Sequence, residues 1–92
     1  MPAIKIEVHG RVQGVGFRYF VCRRAALFGV LGQVWNRSDG AVEILAIHPE
    51  TAVLEAFAGS LESGPGKVQE VQVSPASEPK IEPLGFSTAP TI

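Results

Sequence analysis

The chain has 92 residues, 46% of them hydrophobic and 18% charged, with a net charge of −1 at pH 7 and one cysteine. This length supports one small core and leaves no room for a second domain, and the apolar fraction excludes disorder because burial can offset the entropy of ordering. Near-neutrality excludes a global basic field for nucleic acid or an anionic membrane, Cys22 alone cannot form an internal disulfide, and without an apolar leader or long apolar run the expected address is the cytoplasm.

Ile4, Ile6 and Val8 alternate with Lys5, Glu7 and His9, the period of a strand with one buried face. The stretch GRVQGVGFRYF at residues 10–20 follows, with glycines at 10, 14 and 16, no acidic residue, and Arg18 among aromatics. Phe17, Val21, Ala25 and Phe28 then recur at helical spacing and Gly29 offers a stop, which predicts a first helix starting near Phe17. Residues 30–37 and 41–48 read as two strands of a hairpin turned at Ser38, Asp39 and Gly40, since Asp-Gly supplies the positive φ of a tight turn. Pro49 suits a first helical position, Val53 or Leu54 shares a face with Phe57 and Leu61, and Gly64 with Pro65 closes this second helix. Val71 and Val73 alternate with Gln72 in a fourth strand, with Val68 out of register, and GFSTAP near the end admits a short edge strand. The order β-α-β-β-α-β predicts a single domain over residues 1–92, a ferredoxin-like α+β sandwich with an antiparallel sheet and two helices on one face.

That shape serves many activities, so residues 10–20 must carry the chemistry. Glycines at a strand-to-helix turn let the backbone bend sharply, and the first N–H groups of a helix lack internal partners, which makes such a turn an anion site. Arg18 in the first helical turn opposes the helix dipole unless an anion lies between the two, and its planar fork meets two phosphate oxygens at once. Turn chemistry beside a surface arginine accounts for the same residues taken alone. The Walker pattern and the dinucleotide fingerprint both fail, the latter at Tyr19, and no cysteine precedes Arg18 as a phosphatase nucleophile. His9 and His48 lie far apart and no cluster has metal-ligand spacing, so no metal is expected; Cys22 reads as a core or boundary residue and Asp39 as turn chemistry.

GRVQGVGFR, followed at the next strand by GQVWNRSDGAVE, resembles the acylphosphatase family. Its members pair a glycine-bearing phosphate loop ending in Phe-Arg with a Gly-x-Val-x-Asn strand and an Asp-Gly-x-Val-Glu hairpin. The resemblance runs from Ile4 to about Val73, with Gly64 and Pro65 fitting the segment after the second helix. It implies hydrolysis of acyl phosphates, which are carboxyl–phosphate anhydrides, to carboxylate and inorganic phosphate by in-line attack of water, with no metal, no cofactor and no covalent intermediate. On this resemblance Arg18 is the phosphate-binding arginine and Asn36 the water-orienting asparagine, while the backbone N–H groups of Gln13, Gly14, Val15, Gly16, Phe17 and Arg18 cradle the phosphate. Such roles are physically sound, because an activated anhydride chiefly needs its phosphoryl oxygens neutralised and a water held in line, and an amide stays uncharged beside a dianion.

Gln33, Trp35 and the tail apart from Phe86 depart from the family pattern. The expected partners are a small-molecule acyl phosphate and inorganic phosphate, with no nucleic acid and no membrane, and a monomer is expected. Two alternatives stand beside the enzyme. One is the carbamoyl-phosphate-handling domain of a maturation protein, against which Tyr19, in place of proline, and the end at Ile92 argue. The other is an RNA-binding module of the same topology, whose signature fails at Val15, Arg18 and Phe20.

Overall fold

The computed structural model describes residues 1–81 and 83–92. The alternation near the start builds β1 (Ala3–Arg11), and the helical spacing builds α1 (Phe17–Phe28), which Gly29 ends in the left-handed conformation, donating its N–H back to Ala26 O. The hairpin follows as β2 (Leu31–Asn36) and β3 (Val42–Ile47), then α2 (Thr51–Ser60) running on into a 3-10 turn (Leu61–Ser63), β4 (Lys67–Pro75) and β5 (Phe86–Thr88). Pro49 lies outside the helix. Glu50 is the extended N-cap residue, and its N–H is taken by His48 Nδ1 at 3.0 Å, so the proline belongs to the turn that aims the chain into α2.

The strand order is β4-β1-β3-β2-β5. The first four strands pair antiparallel, as the interleaved β-α-β reading requires, and β5 adds to β2 in parallel, so the complete five-stranded sheet is mixed. Register places Ile6 opposite Ile44, Val8 opposite Val42, and Val34 beside Ile44, so one face is continuously apolar. Val21 and Ala25 of α1, Leu54 and Phe57 of α2, and Leu61 after it close over that face. Fully burying each of the larger side chains contributes about 1.5–3 kcal/mol. The misfit of Val68 has a physical cause: a bulge in β4 lets His9 face Glu70 while Gly10 faces Val68, which returns Val68 to the core side.

The other face of the sheet carries a cluster of charges. Glu7 and Glu43 stand directly opposite across β1 and β3, a like-charge pair that would repel unaided. Arg37 reaches Glu7, Asp39 and Glu43, and Lys5 Nζ lies 3.3 Å from Glu43 Oε1. Asp39 Oδ1 also accepts the Ala41 N–H at 3.1 Å, the turn role expected of it. That N–H, aided by the Arg37 charge, holds the Asp39 carboxyl below its usual range.

Candidate active site

Residues 12–16 leave β1 and enter α1 without a polar cap. Gly14 and Gly16 have φ of +72° and +84°, a region side chains avoid, and Gly16 is the N-cap of α1. The first helical bond runs from Phe20 N–H to Gly16 O, so the N–H groups of Phe17, Arg18 and Tyr19 precede the helical ladder. No acidic residue occupies this first turn and no side chain caps it. A Cβ on Gly14 or Gly16 would meet nothing within 4 Å, so their conformation rather than lack of space calls for glycine.

The loop is braced from below. Phe17 is buried and stacks in a tilted pair with Phe20 at 5.7 Å, and both rings press on Gly64, where an added Cβ would sit 2.5 Å from Phe17. Gly66 backs the loop's entry and middle, since a Cβ there would fall 2.1 Å from Arg11 O and 2.8 Å from Val15 Cγ2. Gln13 reaches sideways: its Nε2 donates to Arg37 O at 2.7 Å and to Ala41 O at 2.9 Å, across to the β2–β3 hairpin.

Between loop, helix and sheet lies a cleft of about 330 Å³. Gly14, Gly16, Phe17 and Arg18 line one side and Asn36 another, which brings together residues 18 apart in the chain. Gln13 and Val15, also singled out in the sequence, belong to the loop but not to the cleft wall. Arg18 has no carboxylate within ion-pair distance among the described residues. Asn36 ends β2 on the helix-facing side, in the row of Val34, and its Oδ1 is buried with no hydrogen-bond partner among the described residues. A buried acceptor left so is uncommon and points to a ligand or water as its partner.

Val12, Tyr19, Cys22 and Thr88 complete the wall. Sequence reasoning did not assign these to the site. Thr88 arrives through the parallel pairing of β5 with β2, opposite Val34, for which a three-residue strand carries no local signal. Cys22 sits one turn along α1 from Arg18; burial pushes its thiol up from the ordinary value and the Arg18 charge pulls it partly back, so it stays protonated at neutral pH. The two histidines are apart from the cleft: His9 lies 3.6 Å from Glu7 and His48 serves the turn before α2. Among the described residues no group of three or more His, Cys, Asp and Glu side chains converges as a metal site would. No helix among them is long and apolar enough to cross a membrane.

The family model for acylphosphatase matches residues 4–88. A curated acylphosphatase of Lactococcus lactis subsp. lactis is 47% identical over 88 residues, covering 86% of this chain and 91% of the relative. The crystal structure of acylphosphatase from Bacillus subtilis superposes with a TM-score of 0.87 at 41% identity, covering 97% of this chain and 99% of that one. The structure of HypF from T. kodakarensis is similar to the whole of this chain, with a TM-score of 0.83 and 31% identity, but the match spans only 12% of that larger chain.

Proposed function

Because the chain belongs to the acylphosphatase family, whose substrates are acyl phosphates, we propose that it hydrolyses them by metal-free, in-line attack of water at phosphorus in the cleft between the 12–16 loop and Asn36. The observation that carries this mechanism is the unpartnered, buried Asn36 Oδ1 in the same cleft as a glycine-bent helix N-terminus and an arginine without a carboxylate.

The phosphoryl group lies on the N–H groups at the start of α1, where the helix dipole favours negative charge. Arg18 forks onto two of its oxygens and neutralises the charge that spreads over them at the transition state. Water donates one hydrogen to Asn36 Oδ1, which turns a lone pair toward phosphorus. Its oxygen bonds to phosphorus as the bond from phosphorus to the acyl oxygen breaks, the electron pair leaving with the carboxylate. The proton released by the water goes to a phosphoryl oxygen of the substrate. A carboxylate is a good leaving group and needs no acid, and a loose transition state asks little of a base, so an uncharged amide suffices where a carboxylate would be repelled.

On this reading residues 1–92 work as one domain and as a monomer in the cytoplasm, on a small-molecule acyl phosphate and not on nucleic acid. The net charge of −1 supports it, since the cationic character is local to α1 and the loop. Light scattering giving the mass of one chain, and no retention of single-stranded RNA on a filter, check these points. The deciding experiment is phosphate release from benzoyl phosphate with a chelator present. Sustained turnover is expected, with inorganic phosphate as a competitive inhibitor and amide shifts centred on residues 14–18. Loss of turnover on chelation overturns the mechanism.

A further inference from the structure

We infer that the Gln13 side chain is a positioning residue, holding the phosphate loop at a set distance from Asn36 rather than touching the substrate. The inference rests on the reading of Asn36 as the group that orients water.

An amide nitrogen carries two N–H bonds, and Gln13 uses both on the hairpin that bears Asn36: 2.7 Å to Arg37 O and 2.9 Å to Ala41 O. Arg37 is the residue immediately after Asn36. No other side-chain hydrogen bond among the described residues ties the 12–16 loop to this hairpin. Asn36 itself is fixed from behind by its backbone, whose carbonyl accepts the Ile92 N–H at 3.1 Å, while its side-chain oxygen has no protein anchor among the described residues. Among side-chain hydrogen bonds of the described residues, the separation between cradle and water is therefore set by one amide. In-line attack tolerates little error here, since a misplacement of about 1 Å lowers turnover on the order of a hundredfold.

The same two carbonyls also show that Gln13 is not chiefly a fold element. Ala41 O already accepts the Arg37 N–H at 2.8 Å, and Arg37 O accepts the Gly40 N–H at 3.2 Å. Removing the amide leaves neither carbonyl orphaned, and the hairpin keeps its own closing bonds.

The test compares Gln13→Met, which keeps the length and loses the donors, with Gln13→Asn, which keeps the amide but falls one methylene short. Both are expected to fold with a melting temperature within about 5 °C of the parent chain. For benzoyl phosphate, kcat is expected to fall roughly ten- to a hundredfold while the inhibition constant of inorganic phosphate changes less than about threefold. Combined with Asn36→Ala, Gln13→Met is expected to add less than about a further threefold loss, because the group it positions is already gone. Unchanged kcat in a folded variant overturns the inference, as does a fully additive loss accompanied by weakened phosphate binding, which would make Gln13 part of the cradle. If neither variant folds, the amide is a fold element and the inference is overturned as well. Failure of the parent chain to release phosphate from benzoyl phosphate would instead overturn the proposed function, so the two readings fail separately.

Discussion

Arg18 faces a cleft with no carboxylate beside it among the described residues, whereas Arg37, one residue beyond Asn36, turns to the far face of the sheet and meets Glu7, Asp39 and Glu43. The loop's glycines and the glycine that braces it differ as well. Gly14 and Gly16 could each take a Cβ without contact, while at Gly66 a Cβ would strike Arg11 O. One region keeps its charge and its N–H donors uncommitted within the protein; the other commits its arginine to three carboxylates. A cation that satisfies a like-charged pair holds two strands together, and a cation left unpaired at a helix N-terminus weakens its own helix unless an anion arrives. On the proposed mechanism, the difference separates residues that serve turnover from residues that serve the fold.

Substitutions in each region test that division. Arg18→Gln removes a charge pair worth on the order of 4 kcal/mol at about 4 Å, so kcat/KM is expected to fall by roughly a thousandfold with no loss of melting temperature. Arg18→Lys restores little, lacking the fork. A folded Arg18→Gln protein with near-normal kinetics would erase the contrast. Asn36→Ala is expected to lower kcat about a hundredfold while phosphate still binds as in the parent chain, which stopped-flow turnover and a phosphate titration together resolve. Gly66→Ala probes the close packing beneath the loop. Left-handed strain and overlap with Arg11 O together destabilise it by about 2–4 kcal/mol, read in urea melts, against about 1 kcal/mol for Gly14→Ala, where only strain acts. Equal losses at the two glycines would contradict the packing argument. Arg37→Gln leaves Glu7 and Glu43 facing each other, so the melting temperature drops by a few degrees, and added salt recovers only a little of the loss because partly buried charges are weakly screened.

The smallest effect concerns acid. Asp39 has a folded pKa below its unfolded one, so its contribution is present above the ordinary aspartate value of about 3.9 and disappears as pH falls through the lower, folded value. Thermal melts between neutral pH and about pH 2 should therefore lose less stability in Asp39→Asn than in the parent chain. Identical acid curves for the two proteins would remove Asp39 from the residues that serve the fold.

Local pattern made much of this readable. Period-two runs marked the strands, and the bend before Phe17 was legible because glycine and helix-terminus chemistry act within a few residues. Val68 was visible as an irregularity, and the bulge opposite Gly10 explains it. Unreadable were the partners fixed by tertiary approach: the Gln13 amide against carbonyls 24 and 28 residues away, Gly66 beneath Val15, and Thr88 delivered by a parallel strand. Arg37 stands in the sequence only as the end of a strand, and the register of β1 against β3 reveals the opposed glutamates that it joins.

The parallel docking of β5 on β2 has a kinetic consequence. The cleft takes its walls from the loop and first turns of α1, from Asn36 and from Thr88, so one side is supplied by a pairing between segments more than fifty residues apart in the chain. Long-range strand pairing is slow because the loop must close before any contact rewards it. During refolding from urea, α1 and the β2–β3 hairpin are therefore expected to form, and much of the circular dichroism signal to recover, before the long-range pairings of β4 and β5 complete the sheet and turnover returns.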